Sequence, residues 1–79
     1  MAVTPLYPAE KYTYRVLWSE ECQRYIGVCT EFPDLNYEAK THTLALNGVI
    51  ARVREELETL RKSGSSIPEP MALRLVRQL

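Results

Sequence analysis

Histidine and aspartate are almost missing from this chain, with one of each, His42 and Asp34, in 79 residues. A single His excludes a two-histidine metal site and a relay built on paired imidazoles within one chain. Metal-dependent phosphodiester cleavage needs several carboxylates converging from strand ends. Here the glutamates fall in expected loops or on one helix face, and Arg15 and Arg24 are the charged residues of the first two expected strands. Glycine is equally sparse: Gly27, Gly48 and Gly64 stand alone, so no Gly-rich phosphate loop exists. Cys22 and Cys29 lie seven apart, a spacing that fits neither a redox Cys-x-x-Cys nor a zinc pair, and both are expected as free thiols. Neither a metal nor a cofactor is expected, and the chain reads as a non-enzyme.

An excess of either charge is missing too. Ten basic residues balance ten acidic ones, whereas phosphate binding draws its affinity from a local surplus of Lys and Arg. Direct binding of nucleic acid is therefore not expected. No apolar run approaches the ~20 residues of a membrane span, and Met1-Ala-Val-Thr-Pro5 lacks the basic start and apolar run of a signal peptide. A cytoplasmic protein with no membrane partner is expected. A domain of this length buries only ~60% of the surface its unfolded chain exposes. Stabilisation by association follows, and a homo-oligomer, most simply a dimer through open sheet edges, is expected.

What is present is organised around the centre. Residues 1–11 carry Pro5 and Pro8 without a sustained period and read as an extended arm; residues 12–70 read as a single domain; residues 71–79 form a short tail whose pattern fits strand or helix. From Tyr12 to Trp18 the chain alternates with a period of two, rich in β-formers. Ser19-Glu-Glu-Cys-Gln23 has hairpin-loop length, and residues 24–30 alternate again, with Ile26 and Val28 on one face and Tyr25, Gly27 and Cys29 on the other. Gly27 inside this strand marks a bulge or the close approach of another backbone or side chain. Pro33 ends the strand, and residues 35–39 form a short third one.

Residues 41–63 predict one long helix. Leu46, Val49, Ile50, Val53, Leu57 and Leu60 form its apolar stripe, and Arg52, Arg54, Glu55, Glu58, Arg61 and Lys62 its polar face. Glu58 stands four residues before Lys62, the favoured order for an ion pair. Thr41 or Thr43 is the expected N-cap and Gly64 the left-handed C-cap. Gly48, unfavourable in a helix by ~1 kcal/mol against Ala, predicts a close contact with the sheet. The fold class is α+β: a small antiparallel sheet of three to four strands with one long helix on one face.

Two functional alternatives arise from single residues. His42 with Cys22 or Cys29 could form a nucleophilic pair, but a low-pKa thiolate needs an electropositive pocket that the pattern does not supply. The aromatics Tyr12, Tyr14, Trp18, Tyr25, Phe32 and Tyr37 could stack on single-stranded nucleic acid. Without surrounding basic charge they read as core and protein-interface residues.

The ordered set Tyr12-Thr-Tyr-Arg-Val-Leu-Trp-Ser19, Glu31-Phe-Pro-x-Leu35, Thr41 with Ala45, and Ile67-Pro-Glu-Pro70 resembles the HicB family of bacterial antitoxins over residues 12–72. The chain departs from that pattern at Leu44, where an acidic residue is usual, and lacks the Gly that often precedes the helix-entry Thr. The resemblance implies a partial ribonuclease-H-like fold without the nuclease site and a HicA-like, mRNA-cleaving toxin as partner. It also implies operon repression by a separate C-terminal DNA-binding domain, and the chain ends nine residues after Pro70, so autonomous repression is not expected. Exposed aromatics and charge near the proline corner, Phe32, Asp34 and Tyr37, are the expected partner-binding residues.

Overall fold

The computed structural model describes residues 7–71. Three strands, β1 (Tyr14–Ser19), β2 (Arg24–Cys29) and β3 (Asn36–Ala39), precede one helix, α1 (His42–Ser63). The strands form one antiparallel sheet in the order β1-β2-β3, and α1 packs on a single face of it. The α+β arrangement expected from the sequence is thus present, with three strands among the described residues. The tail beyond Met71, where a fourth strand was one expectation, lies outside them.

Register assigns every strand side chain to a face. Tyr14 pairs with Cys29, Val16 with Gly27 and Trp18 with Tyr25, while Gly27 pairs with Tyr37 and Tyr25 with Ala39. Strand side chains alternate between faces, so these residues share the helix-facing side. Arg15, Leu17, Ile26, Val28, Asn36 and Glu38 share the other. Pairing runs unbroken through Gly27, so this glycine marks a close approach and not a bulge. A Cβ built there would lie 2.4 Å from the Ala45 carbonyl oxygen and 2.8 Å from Val49 Cγ1. Gly48 makes the reciprocal contact, its missing methyl replaced by the Tyr37 ring, 2.0 Å from where a Cβ would stand. Two glycines, one on the strand and one on the helix, let α1 and the sheet approach where a Cβ would not fit.

Ala45, Val49, Val53 and Leu57 are the buried positions of α1. Val49, Val53 and Leu57 belong to the expected stripe, with Ile50 and Leu60 at its margin, but Ala45 and not the expected Leu46 continues it toward the N-terminus, Leu46 being half-buried. Val49, Val53, Leu57, Tyr12, Cys29, Phe32 and Ala9 form the central cluster. Thr41 caps the helix, its Oγ1 accepting from the Leu44 amide at 3.2 Å. Gly64, at φ 73°, ends it: its amide donates to the Arg61 carbonyl at 3.3 Å and that of Ser65 to Leu60 at 3.0 Å, the paired bonds of a Schellman motif.

Three expectations are corrected. The described part of the N-terminal arm is not extended: Ala9–Lys11 forms a 3-10 turn, held because Tyr14 Oη donates to the Ala9 carbonyl at 2.5 Å and because the Ala9 side chain is buried. The first strand starts at Tyr14, since Tyr12 turns into the core and its hydroxyl donates to the Pro68 carbonyl at 2.7 Å. Glu58 pairs with Arg61 at 2.8 Å, where Lys62 was expected, one turn geometry replacing another on the same exposed face.

Candidate functional site

The corner between β2 and β3 is a β-turn. The Leu35 amide donates to the Phe32 carbonyl at 3.0 Å, with Pro33 preset for the second position and Asp34 in the third. Beside this turn lies a hollow of about 270 Å³ lined by Glu31, Phe32, Pro33, Asp34, Leu35 and, from α1, Glu56. Phe32 is buried and Leu35 half-buried, which makes the base of the hollow apolar. Asp34 is exposed and Glu56 half-buried, which makes its rim acidic.

Glu31 belongs to this corner but is fully engaged. Its carboxylate accepts from the Thr13 amide at 3.0 Å, the Thr13 hydroxyl at 3.2 Å, the Cys29 thiol at 3.5 Å and the Met71 amide at 2.7 Å. Burial works to raise its pKa, and these bonds, led by the Met71 and Thr13 amides, outweigh it and hold the carboxyl below the ordinary glutamate value. Glu31 therefore joins the start of β1, the end of β2 and the segment after Pro70. The Tyr12 phenol in the same region is pushed up to about 12, first by burial and then by the Glu31 charge. Tyr14 is raised in the same direction, chiefly by burial.

The three expected partner-binding residues separate. Phe32 and Asp34 line the hollow, but Phe32 is a core residue, its ring 5.4 Å from that of Tyr12, so the expected exposure of Phe32 is corrected. Apolar burial against Tyr12 outweighs display at the surface. Tyr37 is 42% exposed, yet its ring covers Gly48 and takes no part in the hollow. Glu56 was missed by the sequence reading. Its signal was its position between Val53 and Leu57, at the border of the buried stripe, where a side chain reaches across to the corner.

The arrangement does not assemble a Cys-His pair. His42 stacks edge-on against Tyr25 at 5.8 Å, four residues and roughly 13 Å along β2 from Cys29. Burial pushes the Cys29 thiol up, opposed by backbone bonds at Phe32 and Glu31 and reinforced by the Glu31 charge. Cys22 is exposed in the hairpin loop, and both thiols are free. Among the described residues no group of three or more His, Cys, Asp or Glu could hold a metal ion, and no helix is long and apolar enough to cross a membrane. Comparison with family models, curated proteins and solved structures finds no match to this chain.

Proposed function

We propose that this chain is a HicB-like antitoxin, or a module derived from one, that acts in the cytoplasm without catalysis and neutralises a HicA-type, mRNA-cleaving toxin by protein contact. The observation that carries the reading is the corner hollow, in which Asp34 and Glu56 stand over the apolar Phe32 and Leu35. A long basic side chain lays its methylene stem on apolar surface and its charged head against carboxylates. Such a hollow suits a Lys or Arg from a basic, RNA-binding protein. The ordered motifs from Tyr12 to Pro70 supply the family, and with it a partial ribonuclease-H-like arrangement, as part of the same proposal.

Co-purification with the product of the neighbouring gene, and rescue of cells expressing that product, test the reading. Association should slow as salt rises, and Asp34→Lys with Glu56→Lys should weaken it at least tenfold while leaving the fold intact. Failure to bind any basic toxin-like neighbour would overturn it. A second reading, a free-standing homo-oligomeric structural or regulatory module, draws support from the apolar sheet face opposite α1.

A further inference from the structure

The face of the sheet turned away from α1 carries Leu17, Ile26 and Val28 side by side. Leu17 pairs with Ile26 and Arg15 with Val28; Ile26 pairs with Glu38 and Val28 with Asn36. A one-sided antiparallel sheet ordinarily alternates apolar-in and polar-out. Here the centre of the outer face is apolar instead, with Leu17 47% exposed and Ile26 and Val28 half-buried. Within this six-residue patch the two charges occupy opposite corners, Arg15 at one end of β1 and Glu38 at the other end of β3. Neither takes part in an ion pair among the described residues.

We propose that this face binds the same face of a second copy of the chain, with Arg15 of each copy against Glu38 of the other. Strand spacing near 4.8 Å and a two-residue repeat near 6.7 Å put the two corners ~12 Å apart on a diagonal. A two-fold axis lying in the interface and perpendicular to that diagonal exchanges the corners, so both ion pairs form at once and Leu17 comes to rest over Ile26 of the other copy. Isologous contacts require this self-complementarity. Arg24 and Lys40 continue the same rows toward the hairpin end, and the axis carries them past the β1 edge of the other copy into solvent. The face measures roughly 14 by 20 Å, well below the ~800 Å² per partner of a standard interface. The dimer is therefore weak and reversible. This proposal uses the outer face of the sheet, which meets the corner hollow at Pro33, and does not depend on the toxin reading.

Sedimentation of the full chain over roughly 5 to 500 µM, beside circular dichroism to confirm folding, tests it. The wild type should pass from monomer to dimer across this range. Leu17→Glu, at a half-exposed position, should remain folded and stay monomeric. Arg15→Glu alone and Glu38→Arg alone should each weaken self-association roughly tenfold, and the double variant should recover it. Mixing the two single variants should give a heterodimer stronger than either homodimer, since both pairs are then of opposite sign. A wild type that is monomeric throughout overturns the proposal, as does a dimer that survives Leu17→Glu, which would point to edge pairing. Charge reversals without recovery in the double variant or the mixture also overturn it.

Discussion

A methyl group at Gly27 forces α1 off the sheet. The added carbon would stand 2.4 Å from the Ala45 carbonyl oxygen and 2.8 Å from Val49 Cγ1, where ordinary contact begins near 3.5 Å. The nearer obstacle is backbone, so no side-chain rotation relieves it, and the helix must move by about 1 Å. That movement loosens Ala45, Val49 and Val53, all fully buried. Overpacking of this kind costs typically 1–3 kcal/mol and occasionally more; with backbone as the obstacle we expect Gly27→Ala to cost about 3 kcal/mol. A domain of this size has on the order of 4–12 kcal/mol in all, and the melting temperature should fall by roughly 12–24 °C. Gly48→Ala is the internal control. Its added carbon meets the Tyr37 ring at Cδ1, Cε1 and Cγ, so this half-exposed side chain must change rotamer while the backbone stays in place, and the ~1 kcal/mol gained in helix propensity offsets part of the lost packing. Urea unfolding followed by circular dichroism compares the two. Trimming Val49 in the Gly27→Ala background should not restore stability, since the carbonyl clash remains. A loss below about 1 kcal/mol for Gly27→Ala, or a larger loss for Gly48→Ala, would refute the packing argument.

Leu57→Ala should cost about 2–4 kcal/mol and Val53→Ala somewhat less, while Glu55→Ala on the exposed face should cost under roughly 0.5 kcal/mol; denaturant titration separates the classes, and equal losses would reverse the helix face assigned here. Glu31→Gln should cost about 1–3 kcal/mol, because four hydrogen-bond donors converge on a charged carboxylate. Its carboxyl is held below the ordinary value of 4.5, so its contribution is present above pH 4.5 and is lost as pH falls through the lower folded-state value. Stability measured from pH 7 to pH 2 should therefore fall less steeply in Glu31→Gln than in the wild type below pH 4.5, and parallel curves would count against this role of Glu31. A thiol reagent at neutral pH should label Cys22 alone in the folded chain and both cysteines in denaturant, since Cys29 is buried with its thiol pushed up. Mass spectrometry reads the outcome, and rapid native labelling of Cys29 would contradict it.

The sequence by itself determined the elements and their order. Period-two alternation, Pro33, the Leu46-to-Leu60 stripe, Thr41 and Gly64 are local signals, and each names a strand, a corner, a helix or a cap without reference to anything distant. Gly48 even announced a close approach, and Gly27 a bulge or a close approach, because each is unfavourable where it stands unless something fills the missing side chain's place. What they touch was decided only by tertiary structure. The pairing of Gly27 with Ala45 and of Gly48 with Tyr37 depends on strand register and helix placement together, and no local spacing encodes either. The same holds for the corner. Phe32 reads as a surface aromatic beside a proline turn, and only the position of the Tyr12 ring, itself turned inward by its bond to Pro68, makes it core. Glu31 and Glu56 look like two more solvated carboxylates among the nine glutamates of the sequence. Folding joins one to Thr13 and Met71, distant along the chain, and brings the other across from the helix to the turn, because hydrogen-bond donors and apolar contacts are satisfied in space and not in sequence order.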